Sequence, residues 1–231
     1  MDKSKPIIIS LGGSLVVPNG GIDKKFLTTF NAFVRKKIAS GWRFFIVVGG
    51  GATARHYIEW AKTIAGTLTD WDLDWLGIHT TRLNAHLIRT IFRDVAYPRV
   101  IHNYSKKITN LDKPLVIASG WKPGCSTDYD AVVLAKIYKA KIVINMSNII
   151  SVYDKDPNRF PDAKPLHQLS WSQLEKIVGS KWKPGINLPF DPVATKLAKK
   201  LGLTVYIIGK DIDNLDDILH RRDFVGTIIQ S

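Results

Sequence analysis

A three-layer α/β sandwich, with helices on both faces of a mostly parallel sheet, is the fold that the sequence predicts. Short runs rich in β-branched residues end in glycine or serine and are followed by helical patterns. Each run is nearly continuous in apolar residues, as strands buried on both faces require. The chain has 231 residues, 45% of them hydrophobic and 23% charged. That is enough for one domain with a sizeable core and too apolar for a disordered chain.

The predicted strands are Pro6 to Leu11, Arg43 to Val48, Pro114 to Ala118, Lys141 to Met146 and Thr204 to Ile208, with Gly226 to Gln230 as a last strand at the sheet edge. After the first, Phe26, Phe30, Phe33, Val34 and Ile38 recur at helical spacing until Gly41 stops the helix. Ala54 to Ile58 begins a helix behind the second strand. Asp74 to Ala96 reads as a long helix ended by Tyr97-Pro98. Asp191 caps another, Pro192 opens it and Gly202 closes it. Ser147 to Pro165, with three prolines, is either a functional loop or a plain surface excursion. No repeat, low-complexity tract or long linker interrupts the chain, so residues 1–231 read as a single domain whose two lobes meet near residue 140.

The formal net charge of +13 favours anionic partners. The basic pairs Lys24-Lys25, Lys36-Lys37, Lys106-Lys107, Lys199-Lys200 and Arg221-Arg222 are dispersed. Groove binding draws on a concentrated stripe, so no nucleic-acid partner is expected. The single cysteine, Cys125, excludes an intrachain disulfide and a thiolate metal cluster. Near the N-terminus only a five-residue apolar run precedes the glycines, too short for a signal-peptide core or a membrane span. A cytoplasmic protein without a membrane partner is expected.

Three glycine-rich turns carry the functional signal. The first strand runs into Gly12-Gly13-Ser14, where the backbone can approach an anion and offer its N–H groups; alone it is an ordinary tight turn as readily. The second strand passes into Gly49-Gly50-Gly51 before the helix that carries Arg55. Three glycines in a row cost roughly 0.5–1 kcal/mol each relative to alanine, so close approach of a ligand explains them better than a turn does. A helix N-terminus there supplies unpaired N–H donors, and Arg55 adds a planar fork for phosphate oxygens. The third turn is Ser119-Gly120-Trp121-Lys122-Pro123-Gly124-Cys125-Ser126-Thr127-Asp128, in which Thr127 or Asp128 can be the helix cap and Lys122 an anion contact. The spacing matches neither a P-loop nor a dinucleotide fingerprint.

In this order, with Val152-Tyr153-x-x-Asp156-Pro157 after a strand, these motifs resemble the amino-acid kinases. Gly77-Ile78-x-x-Thr81-Arg82-x-Asn84-Ala85 and Asp191-Pro192-x-Ala194-x-Lys196 look like the archaeal-type UMP kinases in particular. The resemblance covers Pro6 to Ile229. It implies the amino-acid-kinase fold and transfer of the ATP γ-phosphoryl group to UMP, giving UDP and ADP in pyrimidine nucleotide biosynthesis. A homohexamer is implied too, with an acceptor lobe of about residues 1–140 and an ATP lobe of about 141–231. Carried over by position, Gly13, Ser14, Gly51, Arg55, Ser147, Tyr153 and Asp156 belong to ATP. Gly50, Asp74 and the loop Trp121, Lys122, Pro123, Gly124, Cys125, Ser126 and Thr127 belong to UMP. Asp74 suits ribose hydroxyls or is simply a helix-starting acid. Tyr153 and Asp156 suit the adenine and ribose end, or are a packed ring and a turn residue.

Phosphoryl transfer asks the protein mainly to align donor and acceptor and to neutralise charge. Arg55 and Lys122 are the catalytic candidates, with Lys196 behind them or on a solvated helix face. Mg2+ is carried mainly by the ATP phosphates, and no protein metal site is expected. Two departures stand out. Many amino-acid kinases have a lysine where this chain has Ser10, and Asn148-Ile149-Ile150-Ser151-Val152-Tyr153 lacks an acid and a glycine common in the family. Trp121 can stack on uracil, whereas Trp71, Trp75, Trp171 and Trp182 equally suit a subunit interface. Another kinase of this fold, for instance one acting on isopentenyl phosphate, and a non-catalytic nucleotide or oxyanion binder remain the alternatives.

Overall fold

A computed structural model describes residues 3–231 apart from Gly20, Asn158 and residues 182–187, so Trp182 lies outside the described residues. The first half contains β1 (Ile7–Leu11), α1 (Gly13–Val16), α2 (Lys24–Ala39), β2 (Phe44–Val48), α3 (Gly51–Ala65), α4 (Asp70–Ile91), β3 (Leu115–Ala118) and α5 (Thr127–Tyr138). The second half contains β4 (Ile142–Met146), β5 (Val152–Tyr153), β6 (Pro165–Leu166), β7 (Gln168–Ser170), α6 (Trp171–Val178), α7 (Pro192–Leu201), β8 (Thr204–Ile208), α8 (Ile212–His220) and β9 (Thr227–Gln230).

Seven strands form one sheet in the order β3-β2-β1-β4-β8-β9-β7, and β5 with β6 makes a separate antiparallel pair. All neighbours in the large sheet are parallel except β8 and β9. Side chains alternate between its faces. Ile7, Ile9 and Leu11 belong to one core cluster with Phe30 and Val34 of α2, Ile88 of α4 and Leu215 of α8, while Ile8 belongs to a second with Val132 of α5, Leu174 of α6 and Ala198 of α7. These are the expected three layers, and full burial of β1, β2 and β3 explains their unbroken apolar runs.

The register positions the site. Leu11 pairs with both Val48 and Met146, Val47 with Ala118, and Met146 with Ile208. The glycine turns after β1, β2 and β3 and the loop after β4 therefore leave the sheet on one edge, at the carboxyl ends of parallel strands, where open α/β sheets bind ligands.

Some boundaries differ from expectation. Thr69 caps α4 through a capping box with Asp72, so the helix starts at Asp70 and ends at Ile91. Ser126, rather than Thr127 or Asp128, caps α5 by accepting the Asp128 N–H. The last strand is not at the edge. β9 turns back antiparallel to β8 and is covered on its other side by β7. Asp191 and Gly202 cap α7 at its two ends as expected.

Candidate active site

The turn after β1 and the turn after β2 are in backbone contact. A Cβ on Gly13 would collide with the Gly51 nitrogen and the Gly49 carbonyl, and a Cβ on Gly51 would collide with the Gly13 carbonyl. Gly51 also holds φ +66°, in the left-handed region that favours glycine. Two strand exits are thus pressed together with no side chain between them. The N–H groups of Gly12, Gly49 and Ala52 donate to the Met146, Leu11 and Val17 carbonyls, so the cradle suited to phosphate oxygens is made by the other N–H groups at the starts of α1 and α3.

A cavity of about 530 Å³ opens above this contact. Gly13, Ser14, Gly49, Gly50, Gly51 and Arg55 line one side of it. Leu73, Asp74, Gly77, Ile78 and Thr81 of α4 and Gly120, Cys125, Ser126 and Thr127 of the third turn line the rest, with Asn148 from the loop after β4. Arg55 is exposed and held at the rim by a 3.2 Å bond from Nη2 to the Pro18 carbonyl oxygen.

Of the residues expected on the ATP side, Gly13, Ser14, Gly51 and Arg55 meet at this cavity; of the UMP set, Gly50, Asp74, Cys125, Ser126 and Thr127 do. Trp121, Lys122, Pro123 and Gly124 belong to the same loop but not to the lining. The Trp121 ring packs edge-on against Tyr104 at 5.6 Å, and the Lys122 ammonium sits over that ring at 4.4 Å. Ser147 follows β4 beside Gly12, with its hydroxyl accepting the Ile149 N–H at 3.1 Å. Tyr153 lies in β5 and Asp156 in the turn beyond it, apart from the lining residues.

The third turn is held by carboxylates. Asp74 Oδ2 accepts the Gly124 N–H at 2.7 Å, Asp130 Oδ2 the Trp121 N–H at 3.1 Å, and Asp191 Oδ2 the Ser126 N–H at 3.3 Å. Asp74 therefore lies a turn inside α4 and ties the loop, rather than starting the helix. On α4, Thr81 Oγ1 accepts the Gly120 N–H at 2.8 Å, and the Asn84 amide donates to the Gly49 and Gly50 carbonyls. Thr81 and Asn84 stood out in sequence only as part of a resembling motif; their spacing on one helix face gives them their work as anchors.

Ser10 points its hydroxyl at Asp128 Oδ1 (2.8 Å), which also accepts from Asn145 Nδ2 (3.0 Å). Burial pushes the Asp128 carboxyl up to about 7, and the Asp191 charge pushes it the same way, against the bonds from Ser10, the Asp191 main chain and Asn145. Burial likewise raises Asp130 well above the usual carboxylate range, and Asp130 Oδ1 has no partner among the described residues. The Cys125 thiol is pushed up to about 12 by burial and by Asp130, so it is a neutral lining group. None of these buried acids was singled out in the sequence beyond its cap or motif position, because pairs that meet across the sheet leave no local spacing to read.

A parallel sheet whose exits present two abutting glycine turns, an arginine and an anchored third turn defines a phosphotransferase of the kinase class. Residues 5–209 match the family model described as the amino acid kinase family. The chain is 34% identical over 227 residues to the uridylate kinase of Pyrococcus abyssi, covering 97% of this chain and 99% of the relative. It is 33% identical over 226 residues to that of Methanospirillum hungatei, covering 96% and 94%. The crystal structure of the Archaeoglobus fulgidus uridylate kinase superposes with a TM-score of 0.81 at 30% identity, over 97% of this chain and 99% of that one. The chain belongs to the amino acid kinase family.

Proposed function

We propose that the protein is a UMP kinase that transfers the γ-phosphoryl group of ATP to UMP, giving UDP and ADP in cytoplasmic pyrimidine nucleotide biosynthesis. The observation that carries this reading is the contact of Gly13 with Gly49 and Gly51 at the floor of one cavity. Two backbone cradles so close suit two phosphorylated ligands meeting end to end, the arrangement that in-line transfer requires. The similarity to uridylate kinases along nearly the whole chain favours UMP as the acceptor.

In this reading Gly13, Ser14, Gly51 and Arg55 hold the ATP phosphates, with Ser147, Tyr153 and Asp156 toward its nucleoside. Gly50, Asp74 and the loop Trp121 to Thr127 hold UMP, with Cys125, Ser126 and Thr127 nearest the ligand. Arg55 stabilises charge on the transferring group, since it lies at the rim of the cavity. Lys122 is the second candidate, although its ammonium rests on Trp121. The donors at the phosphate cradle are backbone N–H groups, which fit phosphate oxygens and not a bare cation. Mg2+ would accordingly be carried by the ATP phosphates and would supply charge neutralisation there.

A homo-oligomer, a hexamer by family resemblance, completes the proposal. Among the described residues of α3 only Ala52 is buried, while Tyr57, Trp60 and Ile64, on one helical stripe, are 60%, 63% and 82% exposed. A second copy of the chain suits that stripe.

The test is a coupled assay of acceptor-dependent ADP formation with UMP, CMP and isopentenyl phosphate. Turnover with UMP well above the others is expected. Turnover with another acceptor alone overturns the acceptor assignment, and ATP binding without turnover on any of them overturns the enzyme assignment.

A further inference from the structure

We propose that Asp191 is a positioning residue that clasps the acceptor loop, Trp121 to Thr127, to the N-terminus of α7 and thereby sets the fit of the acceptor nucleotide. The proposal rests on the kinase reading above. Asp191 is only 3% exposed, and its two oxygens work in different directions. Oδ1 accepts the Ala194 N–H at 2.7 Å and caps α7; Oδ2 accepts the Ser126 N–H at 3.3 Å, from a residue that lines the cavity. The clasp is reciprocal, because the Asp191 main chain bonds the carboxylate of Asp128, in the first turn of α5. Ser10 of β1 and Asn145 of β4 close on that same carboxylate.

A helix cap alone does not account for an aspartate here. Asparagine caps a helix equally well, and it would not add a negative charge beside Asp128 and Asp130, both of which the Asp191 charge pushes toward the protonated form. Crowding buried acids costs stability, and such costs are kept where they serve a site. What asparagine lacks is a second acceptor oxygen. It can satisfy Ala194 or Ser126, and only a carboxylate satisfies both.

The other two acids that hold the loop, Asp74 and Asp130, come from α4 and α5. Asp191 comes from the C-terminal part of the chain, beyond β4, so it makes the place of Ser126 depend on where α7 sits. Acceptor fit is thereby linked to the half of the protein assigned to the donor.

Asp191→Asn tests this directly, since it keeps the cap and turns a donor toward the Ser126 N–H. Hydrogen–deuterium exchange is expected to speed up in peptides covering residues 121–128 and to stay unchanged in those covering β1 and α3. The acceptor KM is expected to rise about tenfold, as loss of one buried hydrogen bond implies, while the ATP KM stays within about twofold. Asp191→Ala, which loses the cap as well, adds a drop in Tm. Asp211→Asn, at the cap of α8, is the control and should alter neither loop exchange nor acceptor KM. Unchanged exchange at 121–128 in Asp191→Asn, or an equal change in both KM values, overturns the proposal. The exchange measurement needs no substrate, so it decides on the clasp separately from the identity of the acceptor.

Discussion

The side-chain amide of Asn84 donates to the carbonyl oxygen of Gly49 across 2.9 Å, and reaches Gly50 as well, at 3.0 Å. A single buried residue of α4 thus fixes the triple-glycine turn that lines the cavity. Asn84→Ala leaves two carbonyls without that donor, at a cost of about 1–3 kcal/mol. A lower Tm and at least a roughly tenfold loss of kcat/KM are expected from thermal melts and steady-state kinetics. Full activity in this variant would show that the turn keeps its shape without α4.

Glycines at the site divide into two kinds. Gly13→Ala puts a Cβ into the backbone of Gly49 and Gly51, so it should destabilise the fold by about 1–3 kcal/mol and abolish turnover. Gly77 lies inside α4, lines the cavity, and has open space where a Cβ would go. Gly77→Ala should gain about 0.5–1 kcal/mol of helix stability and raise the acceptor KM. A higher Tm with an unchanged KM would mean that the ligand does not use that space.

Arg55→Ala removes the charged donor at the cavity rim. A fall in kcat of at least about tenfold is expected, in line with the loss of one donor at developing charge. Lys122→Ala should cost less, because its ammonium is directed over Trp121. The reverse order of effects would move the transition-state role to Lys122.

The raised proton affinity of Asp128 makes stability fall as pH rises. An ordinary aspartate ionises near 3.8 and Asp128 near 7, so the folded state holds a proton that the unfolded state has lost. This contribution is full below the unfolded value and is lost as pH climbs through the folded one. The Tm of the wild type should therefore decline between about pH 5 and pH 8, and the decline should flatten in Asp128→Asn. Asp130 is shifted in the same direction, so Asp128→Asn/Asp130→Asn should be flatter still. A slope identical in all three proteins would refute this account.

Trp60→Glu places a charge in the exposed stripe of α3. Light scattering of the purified protein should show dissociation relative to wild type, and kcat should fall with it because the same helix carries Arg55. Retention of the wild-type mass would assign assembly to another face.

The fold was legible because a parallel sheet advertises itself: six apolar runs ended within a residue of the observed strands, and Asp191, Pro192 and Gly202 marked one helix at both ends. The short strands β5, β6 and β7 escaped notice, since two or three residues carry no periodicity. β9 reads as a strand in the sequence, but three-residue β7 does not, which is why the sequence places β9 at the edge and the structure does not. At the site, glycine runs were readable because three together have few uses. Asp128, Asp130 and the Ser10 contact were not, since Ser10 and Asp128 are 118 residues apart and only the closed sheet brings them together.

The two margins of the large sheet are unlike its centre. β7 has three residues and β3 four, and the chain that precedes β3 lies along it, with parallel bridges from Ala96 to Leu115 and from Ile101 to Ala118. Hydrogen-bonding strand ends of that brevity give a foreign strand little to zip onto. The backbone ladder is thus closed at its margins, and a contact of this chain with another molecule would fall to its helical surfaces.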